Sequence, residues 1–301
     1  MREGETRTLR VGISACLLGE RVRYDGGHKR NPYLTEVLGK HVEWVAVCPE
    51  VELGLGVPRP PIDLVEAGGA TRLVVSTSGE DLTDRMLAYA AWRAKGLASL
   101  DLDGYVLKSK SPSCGQGRGL FAQALAEAMP ALPMEEEARL ARAAVREHFV
   151  ERLIAAARWR VFVRRRVRAG ELQAFHAAHK YAILAHSPAD YAELGRLVAA
   201  AGSRPLAGVV DEYGVQFMRA FAVPATRGRH VNVLQHVSSF FTRALSDDER
   251  AALAIAIDDY RARRVALEAP LALIREHVQR LGVAYLAEQV YLRPRSIDLV
   301  S

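Results

Sequence analysis

Short apolar stretches separated by polar, turn-rich segments fill the first half of the chain. Four stretches rich in β-branched residues predict short buried strands: LRVGISAC (9–16), VEWVAVC (42–48), TRLVVST (71–77) and GYVLKS (104–109). Two others, DLTDRMLAYAAWRAKGLASL and RGLFAQALAEAM, repeat their apolar positions at helical spacing. Alternating strands and helices favour a doubly wound parallel sheet, so we predict an α/β, Rossmann-like first domain.

The pattern changes at MPALPMEEEARL, residues 129–140, where two prolines precede an acidic helix start. Beyond it the apolar positions follow helical spacing, and no strand alternation is apparent after residue 150. SPAD at 187 and SDDE at 246 have the residue types that cap helix N-termini. We therefore predict two domains, residues 1–133 with the α/β fold and residues 134–301 entirely helical.

Composition excludes several classes of protein. Half of the 301 residues are hydrophobic, which is enough for two cores. The chain contains no apolar run of roughly 20 residues that would span a membrane. The start, MREGETRTLR, lacks the apolar region of a signal peptide, so we expect a cytoplasmic protein. In that compartment its three cysteines are not expected to form a structural disulfide.

Positive charge is concentrated in the second half. Residues 145–301 hold 23 Lys and Arg against 16 Asp and Glu, whereas residues 1–144 hold 18 against 19. The segment ARWRVFVRRRVRAG contributes Arg158, Arg164, Arg165, Arg166 and Arg168, and helical spacing predicts a shared face for Arg158, Arg165 and Arg168. Such a stripe is typical of a phosphate-binding surface, but also of an ordinary solvated helix face.

Each cysteine follows the carboxyl end of a predicted strand. Cys16, Cys48 and Cys114 are far apart in sequence, but the carboxyl ends of parallel strands meet at one edge, where ligands bind in open α/β sheets. Three thiolates suit a metal centre with one vacant position, since closed zinc sites and iron–sulfur clusters usually take four protein ligands. The alternative is three unrelated core cysteines.

The residues around the cysteines are polar and able to bind or transfer protons. Glu50 lies two residues after Cys48, and Ser111 lies three before Cys114 in KSKSPSCG. Lys108 and Lys110 bring positive charge to the same segment. Carboxylates and serines of this kind also cap turns, so these roles stay open at this point.

Three motifs carry a family resemblance. ISACLLGERVRYDGGHKRN, VCPEVELGLGVPRPPI and KSKSPSCG resemble the signatures of the thiouracil desulfidase family (TudS-like domain), over about residues 8–150. HAAHKYAILAHSP and RHVNVLQHVSSFF resemble the YbgA-like helical domain. The combination is similar to the tRNA 4-thiouridine desulfidases (RudS).

The resemblance implies a cofactor, a reaction and a partner. It implies a [4Fe-4S] cluster held by Cys16, Cys48 and Cys114, whose unligated iron takes the thiocarbonyl sulfur of 4-thiouridine in tRNA. Water then replaces the sulfur without net redox change. In this scheme Glu50 is the general base. Ser111 orients the water or the base, and Lys108 or Lys110 stabilises negative charge. The basic helical domain would hold the tRNA through the arginine run.

Two other functions are compatible with these residues. A desulfidase of free thiouracil or of small thioamides would have no need of the arginine run. A cluster-bearing nucleic-acid-binding protein without catalysis would have no need of Glu50 as a base. Five histidines of the second half are spaced so that a metal site is conceivable, but packing against a neighbouring helix is commoner. A surface that faces the RNA or the other domain is the remaining alternative. The five are His176, His179, His186, His230 and His236.

Overall fold

This computed structural model describes residues 8–293 of the chain, which contain six strands and eleven α-helices joined by loops and short turns. The strands are β1 (Leu9–Ser14), β2 (Val42–Val47), β3 (Ile62–Ala67), β4 (Ala70–Val75), β5 (Gly104–Leu107) and β6 (Met134–Glu136). The helices of the first half are α1 (Pro49–Glu52), α2 (Thr83–Ala98), α3 (Leu120–Ala128) and α4 (Ala143–Val163). The later helices are α5 (Ala169–His186), α6 (Pro188–Ala200), α7 (Leu206–Ala222), α8 (Arg227–Ser238), α9 (Asp247–Arg261), α10 (Glu268–Leu281) and α11 (Ala284–Ala287).

A parallel sheet of four strands, in the order β2-β1-β5-β6, organises the first half. One side of the sheet packs Val11, Ile13 and Val106 against Phe149 and Leu153 of α4. The other side packs Val47, Tyr105 and Leu107 against α2 and α3. Both faces are covered, which explains the nearly continuous apolar strands and confirms the predicted α/β class.

Two glycines let the layers approach closely. A Cβ atom on Gly12 would lie 2.2 Å from the Tyr105 ring, and one on Gly104 would lie 2.2 Å from Leu153 Cδ2. Glycine at these two positions therefore makes room for the large side chains that fill both faces of the sheet.

The predicted strand TRLVVST does form, as β4, but it is not part of the parallel sheet. It pairs antiparallel with β3, with Ile62 opposite Val75 and Ala67 opposite Ala70. The connection is the pair Gly68–Gly69, whose φ angles are 60° and 78°. Two residues with positive φ close a tight hairpin, so the local turn pairs this strand with its neighbour in sequence.

The chain divides into two compact units after Phe162. We predict the boundary at residue 133, but the contacts place β6 and most of α4 with the first unit. The reason is packing: β6 pairs with β5, and Phe149, Val150 and Leu153 of α4 complete the core above β1. The acidic segment that the sequence predicts to be a domain junction therefore contains β6, the edge strand of the sheet.

The second unit is helical throughout its described residues, 163–293, as predicted. Ser187 caps α6 through the N–H of Asp190, and Ser246 with Glu249 forms a reciprocal cap on α9. No helix of residues 8–293 is both long enough and apolar enough to cross a membrane.

The arginine run does not form one helix. Helix α4 ends at Val163 and α5 begins at Ala169, so Arg164 to Arg168 lie in the connecting segment. The predicted shared face of Arg158, Arg165 and Arg168 is therefore wrong. The side chains of Arg164, Arg165, Arg166 and Arg168 are nevertheless exposed.

Most histidines of the second unit pack between helices. Nδ1 of His176 lies 3.1 Å from the Tyr213 hydroxyl, and that of His230 lies 2.8 Å from the Tyr291 hydroxyl. His179 and His186 hydrogen bond to backbone carbonyls through the same ring nitrogen. These four act as buried polar residues of a helical core, in line with the packing alternative, whereas His236 is exposed.

Candidate active site

Three neighbouring strands deliver the three cysteines to one edge of the sheet. Cys16 lies in the 3₁₀ turn directly after β1, Cys48 is the N-cap of α1 directly after β2, and Cys114 lies in the loop after β5. Because β2, β1 and β5 are adjacent and parallel, their carboxyl ends lie side by side. Cys16 and Cys114 are buried, and Cys48 is partly buried.

The thiols are close enough to influence one another electrostatically. Burial raises the pKa of the Cys16 thiol to about 11, and Cys48 adds to the increase. Burial also raises the pKa of Cys114 above its ordinary value, with smaller contributions from Glu50, Cys48 and Cys16. Burial also raises the pKa of Cys48, so all three thiols are desolvated, and a cationic centre would stabilise their ionised forms.

The polar loop after Cys16 folds back over this site. The Lys29 N–H donates to the Cys16 carbonyl at 2.8 Å. The Cys48 thiol lies 3.7 Å from the Val22 carbonyl oxygen, which also accepts two hydrogen bonds from the Arg59 guanidinium. Arg23 from the same loop lowers the pKa of Cys16, although burial prevails.

Glu50 occupies the centre of a buried polar network. Its Oε2 accepts hydrogen bonds from Arg59 Nε at 3.0 Å and from Nη2 at 2.5 Å, while its Oε1 accepts one from the Ser113 hydroxyl at 3.1 Å. The side chain of Arg59 is 4% exposed and that of Glu50 is 14% exposed. The carboxylate is thus held in one orientation beside Cys48 and Cys114. Burial is the main cause of the raised pKa values of these two thiols, and the charge of Glu50 is a smaller one.

Ser111 has a structural task in the loop that carries Cys114. Its Oγ accepts the N–H of Cys114 at 3.1 Å and that of Ser113 at 3.3 Å. This is the turn-capping arrangement, and it leaves the hydroxyl proton of Ser111 available as a donor. The serine that contacts Glu50 is Ser113, which the sequence does not single out.

The two lysines differ in their surroundings. Lys108 Nζ donates to Glu137 at 2.6 Å, and its charge lowers the pKa of Cys16 against the effect of burial. Lys110 is exposed, with a φ of 54°. Ser14 links the strands beneath them: its Oγ accepts the Lys108 N–H at 3.0 Å, and its hydrogen bond to Cys114 lowers the pKa of that thiol.

The three thiols are donors of the type that an iron–sulfur cluster takes. Within residues 8–293, no three His, Cys, Asp or Glu side chains lie close enough to ligate one metal ion. A mononuclear site requires all its donor atoms within about 2.3 Å of one nucleus. A cluster binds each thiolate to a different iron, so the sulfurs lie farther apart. Cys16, Cys48 and Cys114 fit such a cluster by their chemistry, as desolvated thiols at the ends of three adjacent strands.

Several residues of the site escape sequence reasoning. Arg59, Ser113, Ser14 and Glu137 all contact a predicted site residue. Arg59 and Ser113 lie within the motifs VPRPP and SPSCG. The arginine between prolines and the serine beside a cysteine are the features of the sequence that could have indicated a role in the site. Their hydrogen-bond partner, Glu50, can be identified only from the tertiary structure.

Three known proteins are similar to parts of this chain. The YbgA protein of Escherichia coli, which is uncharacterized, is 35% identical over 133 residues, or 43% of this chain and 79% of that protein. The uncharacterized YbbK of Bacillus subtilis is 31% identical over 110 residues, covering 35% of this chain and 72% of that protein. The solved [4Fe-4S]-dependent thiouracil desulfidase TudS is 31% identical, covering 44% of this chain and 93% of that one, with a TM-score of 0.38.

The family matches cover most of both units. The 2-thiouracil desulfurase family matches residues 11–137, the segment that contains all three cysteines. A family of unknown function, DUF1722, matches residues 180–295. These matches confirm the resemblance predicted from the cysteine motifs and the helical half. The chain belongs to the 2-thiouracil desulfurase family through its first unit, which is joined to a DUF1722 domain.

Proposed function

We propose that the protein is a [4Fe-4S]-dependent desulfidase that converts 4-thiouridine in tRNA to uridine. The observation that carries the proposal is the gathering of Cys16, Cys48 and Cys114 at one sheet edge beside a fixed carboxylate, in a chain of the 2-thiouracil desulfurase family. When bound, a cluster held by three thiolates supplies a Lewis-acidic iron that has no cysteine ligand and has affinity for sulfur.

The reaction is a hydrolysis. The carbon–sulfur bond of the thiocarbonyl breaks, a carbon–oxygen bond to water forms, and sulfur leaves as hydrosulfide, with no change of oxidation state. Glu50 is the proposed acceptor of the water proton. Its contacts with Arg59 and Ser113 fix the carboxylate, so the proton-accepting oxygen is preorganised before substrate arrives. Ser111 retains a hydroxyl proton for the water or the base, and Lys110 would face negative charge on the substrate.

The proposal of tRNA as substrate rests on the second half of the chain. Its excess of basic residues, and the exposed Arg164, Arg165 and Arg166, are suited to a phosphate backbone. The target base would have to leave its stack to reach the buried thiols. Free thiouracil is the second candidate substrate, and the description of the matched family favours it.

One experiment separates the two substrates. Anaerobically reconstituted protein is incubated with thiolated tRNA and, in parallel, with free 2-thiouracil. We expect mass spectrometry of the digested tRNA to show loss of 4-thiouridine and a matching gain of uridine. An equal amount of sulfide should appear in solution. Replacing Arg164, Arg165 and Arg166 by Gln should weaken tRNA binding and reduce its salt dependence. Turnover of thiouracil alone, with tRNA untouched, would refute the tRNA assignment.

A further inference from the structure

A small pocket in the helical unit lies apart from the cysteine site and from the arginine run. It has a volume of about 160 Å³, is open to solvent on one side, and lies between the second half of α5, the start of α6 and one face of α8. We call it the α8 pocket; its lining residues are Tyr181, Leu184, Pro188, Arg229, Asn232, Val233 and His236. The lining contains one cationic side chain and no carboxylate.

Helix α8 supplies the polar side of the pocket. Arg229, Asn232 and His236 follow one another at spacings of three and four, which places them on one helical face. Asn232 and His236 are exposed, so their polar atoms are accessible to a ligand. Arg229 is held in place by donating to the His186 carbonyl at 2.6 Å.

Aromatic rings continue from the pocket onto the surface. The ring of His236 lies 5.6 Å from that of Tyr181 and 6.1 Å from that of Phe240. Phe240 stacks on Tyr285 at 5.5 Å and 24°, and these two side chains are 46% and 38% exposed. Lys180 Nζ lies 5.3 Å from the centre of the Tyr181 ring. Exposed aromatic rings grouped with cations are typical of a binding surface.

These features match the chemistry of an unpaired nucleotide. A cavity of about 150 Å³ holds a benzene ring in another protein, and the ring of a pyrimidine is of similar size. Aromatic side chains stack on unpaired bases, and an asparagine amide can both donate to and accept from a base edge. Arginine and lysine contact phosphate. We propose that the α8 pocket binds an unstacked base of tRNA, distinct from the base that loses sulfur, with the next base stacking on Phe240.

The inference rests on the proposed function, because it takes tRNA to be the substrate. Its test is tRNA binding by the full-length reconstituted protein, followed by fluorescence anisotropy over a range of salt concentrations. The test variant is Asn232→Ala with Phe240→Ala, which changes no charge. The matched control is Gln235→Ala with Ile255→Ala, which removes an exposed amide on α8 and an exposed apolar side chain on α9, both outside the pocket lining.

We expect the test variant to bind tRNA about 5-fold or more weakly at every salt concentration, as loss of one base stack predicts. The salt slope should stay that of the wild type, because no phosphate contact is removed. The control should bind as the wild type does. Unchanged circular dichroism and iron content would show that both units remain folded.

The possible failures are distinguishable. If the wild type binds and desulfurates tRNA but the test variant binds equally well, the α8 pocket is not a base site and the proposed function stands. A reduced salt slope in the test variant, or an altered oligomeric state on size-exclusion chromatography, would also overturn the inference. If the wild type does not bind tRNA at all, the tRNA assignment fails and the inference fails with it.

Discussion

The buried ion pair of Arg59 and Glu50 gives the sharpest prediction of stability. Arg59→Met would remove the cation and both of its hydrogen bonds to Glu50. The carboxylate would then lie beside two thiols and keep only its hydrogen bond from the Ser113 hydroxyl. Breaking a buried ion pair by removing one partner costs about 3–5 kcal/mol. For a unit of some 150 residues, in which each kcal/mol shifts Tm by roughly 2–4 °C, we expect Tm to fall by roughly 6–20 °C.

Tryptophan fluorescence isolates the unit concerned. The three tryptophans of the chain, Trp44, Trp92 and Trp159, all lie in the first unit, so their emission reports its unfolding alone. The control is Arg72→Met, which breaks an exposed pair with Asp81 whose side chains are 43% and 47% exposed. Surface pairs contribute about 0–1 kcal/mol, so the control should barely shift Tm.

A double-mutant cycle with Glu50→Gln completes the test. If the two side chains stabilise each other, the combined variant should be less destabilised than the sum of the single changes. Arg59→Met with a Tm within 2 °C of the Arg72→Met control, or additive effects in the cycle, would refute the conclusion that Arg59 holds Glu50 in place.

Two further predictions concern packing and pH. Gly12→Ala should destabilise the first unit by about 1–3 kcal/mol, because its methyl group would clash with the Tyr105 ring. Gly96→Ala, whose methyl group would lie in open space on α2, should instead stabilise the unit by about 0.5–1 kcal/mol. Urea denaturation measures both changes. Burial opposes ionisation of Glu137, but hydrogen bonds from Lys108 and Ser109 lower its pKa below the usual 4.5. Because this pKa is lower in the folded than in the unfolded protein, ionised Glu137 stabilises the fold above pH 4.5, and the stabilisation is lost as the pH falls through the pKa of the folded state. The difference in unfolding free energy between wild type and Glu137→Gln should therefore shrink below pH 4.5. A difference that stays constant with pH would contradict this prediction.

Local patterns in the sequence predict the parts of the site that depend on strands. Each cysteine follows an apolar stretch that forms a parallel strand, so the rule that ligands bind at the carboxyl edge is enough to group Cys16, Cys48 and Cys114. The class of each unit follows from the same periodicity.

The parts that the sequence does not predict depend on long-range contacts or on a single turn. Arg59 is oriented by the carbonyl of Val22, 37 residues earlier, and no local signal reveals that contact. The pair Gly68–Gly69 is a hairpin signal that outweighs the apolar character of β4 and takes it out of the main sheet. Residues 134–136 are too short and too acidic to be recognised as a strand, although β5 pairs with them.

Iron and acid-labile sulfide analysis tests the central claim most directly. The claim is that Cys16, Cys48 and Cys114 jointly hold one inorganic centre. Protein purified and reconstituted without oxygen should contain about four iron and four sulfide per chain, as a four-iron cluster requires. Each single Cys→Ser variant should lose most of both while keeping its helical circular dichroism. Zinc in place of iron, or an iron content that is the same in all three variants as in the wild type, would contradict the account.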